Sequence, residues 1–241
     1  MKYAILAGGH GSRFVKEGVQ TPKPMVEVMG EPMIGRLIGL LQGCGAEVIS
    51  IAANPRMEGF IPYLEELKAR WGNIVVNPVI TENSYESLLA ATDCLDGRFI
   101  GMTVDTVFPM DEFRSYVAAV EAMGDEESLM GLTRYIDDES PLYARIDGRG
   151  EIIDYRYGGE PFAEGAIVSA GLYGLSRRCM EAVRDSGHYP ESLSDFQRTL
   201  AVRTAIEVLP FEFTKAFDID NLHDLGQANE FFTMSECSAD V

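Results

Sequence analysis

Through the first half of the chain short apolar runs alternate with amphipathic stretches, and few backbone arrangements satisfy that pattern. Residues 3–7 form an apolar run ended by Gly8 and Gly9, the length of a buried strand and too short for a helix. From Met33 onward Ile34, Leu37, Ile38 and Leu41 recur at helical spacing before Gly43 and Gly45 stop the pattern. A β-branched run over 47–53 follows, then a helical pattern over 57–70, a strand over 73–76, a helix over 86–94 and a strand over 99–104 that ends at Asp105. Strands separated by helix-length segments make βαβ units, whose parallel strands need helices on both faces. The expected architecture is therefore α/β, a Rossmann-like αβα sandwich with a mostly parallel central sheet. Ligands in such sheets bind beyond the C-terminal ends of the strands.

The cycle loosens after a helix over 110–123, which carries Phe113, Tyr116, Val117 and Val120 on one face. Strands are expected over 129–134, 142–146, 151–155 and 167–175, with Asp147-Gly148-Arg149-Gly150 as the turn between the second and third. They predict a small antiparallel insertion and a lid over the sheet edge. Helices over 176–186 and 192–203, a strand over 206–210 and a helix over 222–232 complete the pattern. No linker separates the halves, so residues 1–234 are expected to form one domain and 235–241 a polar, flexible tail.

Twenty Lys and Arg against thirty-eight Asp and Glu leave a formal charge of −18. Such a surface repels nucleic acid backbones and anionic membranes, so neither is an expected partner. A polyanionic small molecule would need a locally positive pocket. Cys44, Cys94, Cys179 and Cys237 are far apart and contain no CxxC pair, which fits a reduced, cytoplasmic setting. No apolar run reaches the length of a membrane span.

The stretch LAGGHGSRFVKEGVQTPKPMVEVMGEPMI, residues 6–34, is the most informative for chemistry. Its glycines can bring backbone N–H groups close to phosphate oxygens, and Arg13 and Lys23 can neutralise charge that backbone alone cannot. It is neither a GxxxxGK[ST] nor a GxGxxG motif. A plain strand-to-helix turn would explain the glycines, but not Arg13 together with Thr21-Pro22-Lys23-Pro24. His10 reads as a loop residue, and no histidine or serine sits in a hydrolytic triad pattern.

With its strand, its loop of Gly9, Gly11 and Arg13, and its downstream Pro22-Lys23 pair, the chain resembles the sugar-nucleotide pyrophosphorylase family, the NTP_transferase-like nucleotidyltransferases. Asp105 after a central strand, an Asn/Ser segment before it, the run Ala170-Gly171-Leu172-Tyr173 and an acidic segment near residue 220 extend the resemblance over nearly the whole chain. It implies a nucleotide-diphospho-sugar transferase type of fold and a Mg2+-dependent transfer from an NTP to a phosphorylated small molecule. The lead acceptor is a sugar-1-phosphate, giving a nucleotide sugar for polysaccharide synthesis. Alternatives are a cytidylyltransferase acting on phosphocholine or another non-sugar phosphate, and a nucleotide-binding or scaffold protein without turnover. Homo-oligomerisation is a further implication.

By the same resemblance Leu6, Ala7, Gly8, Gly9, Gly11, Ser12, Arg13 and Lys23 surround the nucleotide, with Lys23, Arg13 and Asp105 in catalytic roles. Asn83 and Ser87 match positions near the base, though their short polar side chains equally suit a helix start. Asp105 is a metal ligand in the resembling family. Asp218 and Asp220 share side-chain parity in an extended segment, and Asp220 matches the second ligand, with Asp218 competing. Asp220 or Asn221 would also suit a helix cap before Leu222. On the acceptor side stand Gly171 and Tyr173, with Glu160 and Glu164 just upstream. Sugar-directed relatives place a lysine in an EKP segment where this chain has Gly159-Glu160-Pro161, and Lys215 is the candidate to supply the missing charge. A cationic head group would instead find Glu160, Glu164 or Tyr173.

Overall fold

Strand β1 (Lys2–Ala7) sets the layering, because its side chains alternate between two cores. Tyr3, Ile5 and Ala7 pack with one hydrophobic cluster, Ala4 and Leu6 with the other. The computed structural model describes residues 1–9, 11–138 and 140–239, with side chains through 234. His10 and the last two residues of the expected tail thus lie outside the described residues.

After β1 come α1 (Ser12–Lys16), a short hairpin of β2 (Glu27–Val28) and β3 (Glu31–Pro32), α2 (Met33–Gly43), β4 (Val48–Ala53), α3 (Phe60–Trp71), β5 (Ile74–Pro78), α4 (Ser84–Thr92) and β6 (Arg98–Thr103). The second half runs β7 (Thr106–Val107), α5 (Met110–Ala122), β8 (Glu127–Thr133), β9 (Leu142–Ile146), β10 (Ile152–Tyr157), β11 (Val168–Ser176), α6 (Arg177–Asp185), α7 (Leu193–Arg203), β12 (Glu207–Phe213), β13 (Phe217–Asp218) and α8 (Leu222–Ala239). The main sheet has nine strands in the order β10-β9-β11-β6-β1-β4-β5, with β8 joined to β11 and β12 to β8.

Strands β6, β1, β4 and β5 are mutually parallel, as their helical crossovers require. Helices α2, α3 and α5 supply Ile34, Phe60 and Phe113 to one core, while α4, α6 and α7 supply Leu88, Val183 and Phe196 to the other. Three sequence expectations change here. The later strands extend the main sheet, because β11 pairs antiparallel with β6 instead of lying over its edge. Strand β12 is longer than expected and parallel to β8, and as an edge strand it tolerates Pro210. The C-terminal helix also continues past Phe232 to Ala239.

Candidate active site

The loops that leave β1 and β6 emerge side by side, because these strands are hydrogen-bonded neighbours. Beyond β1, Gly11 takes φ +63 and starts α1, a conformation that suits glycine. A Cβ there would lie 2.8 Å from the Cβ of Lys23, so Gly11 is also the residue that lets Lys23 come in close. Lys23 opens a 3-10 turn between Pro22 and Pro24, and the Met25 N–H donates to the Pro22 carbonyl at 2.7 Å. The lysine is 7% exposed, and a charge so buried calls for a paired charge.

That charge comes from two distant places. Beyond β6, Asp105 leads into β7, which pairs antiparallel with β13 so that Thr106 faces Asp218. The Ile219 N–H donates to the Asp105 carbonyl at 3.0 Å and ties the two segments together. The Lys23 ammonium contacts Asp105 Oδ2 and lies 2.6 Å from Asp220 Oδ1. The other oxygen of Asp220 is bonded to Arg13, whose guanidinium also lies 3.7 Å from Asp138. Burial alone would lower the Lys23 pKa, but Asp105 and Asp220 outweigh it and hold the ammonium charged well above its ordinary range.

The two acidic candidates of the C-terminal segment therefore differ. Asp220 shares one cation with Asp105, and Asn221, not Asp220, caps α8, its Oδ1 accepting from the Asp224 N–H at 3.0 Å. Asp218 Oδ1 instead accepts from the Thr106 hydroxyl of β7 at 2.9 Å, next to Gly171 of β11. It is exposed toward the cavity, with Thr106 and the backbone of Gly171 beside its carboxylate. Desolvation, then the charge of Asp105, pushes its carboxyl up to about 7, against Lys23 and Thr106. Gly171 makes this packing feasible: it sits at φ +71 in a register break of β11, and a Cβ would meet Thr106 Oγ1 at 2.5 Å.

On the opposite wall of the loop, a Cβ on Gly8 would lie 3.2 Å from Ser87 Oγ, which in turn shares a 2.7 Å hydrogen bond with Thr81. Asn83 caps α4, its Oδ1 accepting from the Glu86 N–H at 3.0 Å. Of its two sequence readings, the structural one is thus occupied. Leu6 and Ala7 are buried within the sheet, so only their backbone can face a ligand, while Gly9 and Ser12 are exposed.

Next to Asp218 and Asp220 opens a cavity of about 670 Å³. Gly171 and Tyr173 line it, as expected. Glu160 and Glu164 do not; they are exposed in the segment between β10 and β11. Lys215 does not line it either. Its ammonium lies 4.6 Å from the Tyr135 ring centre and 5.3 Å from that of Phe217, a cation–π position behind those rings. In their place the cavity wall has Tyr135, Asp137, Asp138, Tyr157, His223 and Asp224. Gln227 of α8 binds this wall together, donating to Asp137 at 2.6 Å and accepting from the Tyr135 hydroxyl at 2.8 Å. The cluster Tyr135-Ile136-Asp137-Asp138 was a visible signal, but nothing local connects it with a helix ninety residues later.

Among the described residues no group of three or more His, Cys, Asp or Glu converges to hold a metal ion. Asp105 and Asp220 are a pair, and they already share a single cationic nitrogen, so one small cation fits between them. No helix among the described residues is long and apolar enough to cross a membrane.

A family model for the MobA-like NTP transferase domain matches residues 3–147, from β1 through the turn after β9. The chain belongs to the MobA-like NTP transferase family. It is accordingly a nucleotidyltransferase domain. It is 37% identical to a mannose-1-phosphate guanyltransferase of Gibberella zeae over 184 residues, which cover 72% of this chain and 49% of that protein. It is 26% identical to the CMP-5'-(3-aminopropyl)phosphonate synthase of Streptomyces rubellomurinus over 213 residues, 81% of this chain and 33% of that one. The chain thus spans a third to a half of the length of these relatives. The fold of this MobA-like domain is that of the inositol-1-phosphate CTP transferase from T. maritima, with a TM-score of 0.77, 19% identity, and 98% and 96% of the two chains covered.

Proposed function

We propose that the chain transfers a nucleotidyl group from an NTP to a small molecule bearing a phosphate or phosphonate. An acceptor oxygen attacks the α-phosphorus, the bond from that phosphorus to the α–β bridging oxygen breaks, and its electron pair departs with pyrophosphate. The observation that carries this reading is the Lys23 ammonium between Asp105 and Asp220, at the strand ends and beside the cavity. That contact supports Asp105 and Asp220 as the carboxylates that would hold Mg2+, with Asp218 behind them. Bound there, Mg2+ would neutralise triphosphate charge and favour the departure of pyrophosphate. Lys23 and Arg13 donate to phosphate oxygens, the backbone of Gly8, Gly9 and Gly11 faces the triphosphate, and Ser87 packs against the loop of Gly8.

The cavity favours an acceptor that carries an amine as well as its phosphate or phosphonate. Asp137, Asp138, Asp218 and Asp224 bring carboxylates to its wall, and Tyr135, Tyr157 and Tyr173 bring aromatic rings. An ammonium gains from both, through charge-assisted hydrogen bonds and ring faces. The aminopropylphosphonate relative points the same way. A sugar-1-phosphate is the second reading, supported by the likeness to the mannose-1-phosphate guanyltransferase; its hydroxyls would donate to the same carboxylates.

The test is pyrophosphate release with each of ATP, CTP, GTP and UTP, Mg2+, and a panel of 2-aminoethylphosphonate, phosphocholine, mannose-1-phosphate and glucose-1-phosphate, with products identified by mass spectrometry. Turnover confined to the amine-bearing acceptors is expected. Turnover confined to the sugar phosphates would establish the second reading, and no product from any pair would remove the proposed activity for these acceptors.

A further inference from the structure

We propose that the Lys23 ammonium is the resident occupant of the divalent-cation position, and that the triphosphate of the incoming nucleotide draws it out. The inference rests on the nucleotidyltransferase reading of the same site. It begins from how fully the carboxylates are used: Asp105 Oδ2 and Asp220 Oδ1 both contact Lys23, and Asp220 Oδ2 contacts Arg13. Every one of these bonds lies where a hard cation would need oxygen ligands.

The base of Lys23 is fixed while its tip is adjustable. Pro22, Pro24 and the close approach of Gly11 hold the backbone, but the four-carbon stem can swing the ammonium without moving the turn. Taking that charge away would leave Asp105, Asp218 and Asp220 close together with Arg13 paired to Asp220, and the like charges would then repel one another. Mg2+ by itself gives up its hydration reluctantly and would have to expel an ammonium matched to both Asp105 and Asp220. A triphosphate supplies a more highly charged anion to receive it. The cation position then empties and fills as one event, and metal without nucleotide binds weakly.

The test uses metal alone, followed by Mn2+ binding and by thermal unfolding in EDTA and in Mg2+. Without nucleotide, Lys23→Met is expected to bind Mn2+ at least tenfold more tightly than wild type. It should also melt lower in EDTA and recover in Mg2+, whereas wild type should hardly respond, and Lys23→Arg should behave as wild type. Lys16 also borders the cavity, and Lys16→Gln reports the general field. If it tightens Mn2+ as much as Lys23→Met does, or if wild type already binds Mn2+ as tightly as Lys23→Met, the inference is overturned. Wild type offers a reading independent of variant folding: the 15N signal of the shielded Lys23 ammonium should persist in EDTA and change as metal fills the site, and an unchanged signal at saturation would overturn the proposal. Metal recovery of Lys23→Met together with no transferase activity in wild type would uphold the inference and sink the proposed function, whereas transfer by wild type without metal recovery of Lys23→Met would sink the inference alone.

Discussion

The two ends of the site are built differently. At the reaction end, Lys23, Arg13, Asp105 and Asp220 stand on turns rooted at strand ends, and backbone contacts such as the Ile219 N–H to the Asp105 carbonyl hold those turns in place. At the acceptor end, Tyr135, Asp137, Gln227 and His223 are held to one another by side-chain hydrogen bonds, with Gln227 2.8 Å from His223. Under the proposed function, the chemistry would be supported by backbone and recognition left to side chains that can be exchanged without disturbing the sheet.

The sharpest way to break that comparison is Asp105→Asn. Loss of one carboxylate charge at the reaction end should lower kcat roughly a thousandfold with the fold intact; steady-state kinetics with circular dichroism checks this, and near-normal turnover would remove Asp105 from the mechanism. At the acceptor end, Asp137→Asn combined with Asp138→Asn should raise KM for an amine-bearing acceptor about ten- to hundredfold and leave KM for the nucleotide unchanged. A matching rise in both constants would mean that the two ends are not separable.

Smaller effects test the supports. Gly171→Ala places a Cβ 2.5 Å from Thr106 Oγ1 at φ +71, and should cost about 1–3 kcal/mol in denaturant unfolding. Asn83→Ala removes the α4 cap and should cost about 1 kcal/mol; an accompanying large rise in nucleotide KM would give Asn83 a ligand role besides. The last prediction concerns pH. A carboxyl whose folded pKa is raised, as Asp218's is to about 7, stabilises the fold below the ordinary carboxylate range and loses that contribution as pH rises through 7. In EDTA, the melting temperature of Asp218→Asn should therefore gain on wild type between pH 4 and pH 8. A constant difference would mean that Asp218 is ionised throughout.

Much of the architecture was legible because period and length report it directly. The run at residues 3–7, the helical spacing from Met33 and the strand ending at Asp105 all became elements within a residue or two. The pairing of β7 with β13 was not, since two-residue strands have no period. The same limit hid the parallel partner of β12, because strand direction within a sheet depends on crossovers and not on local composition. Within the site, Lys23, Arg13, Asp105 and Asp220 were marked by motif and converge. Glu160, Glu164 and Lys215 were chosen by nearness in sequence and do not line the cavity.

The sequence by itself determined the α/β layering and the loop that concentrates glycine, arginine and lysine at a strand end, since both follow from short-range patterns of burial and backbone freedom. Only the tertiary structure decided that Asp220 shares a cation with Asp105 while Asp218 bonds to Thr106, and that residues 135–138 and helix α8 line one cavity. Those outcomes depend on contacts between segments about ninety to two hundred residues apart, whose relative placement is set by sheet order and helix packing.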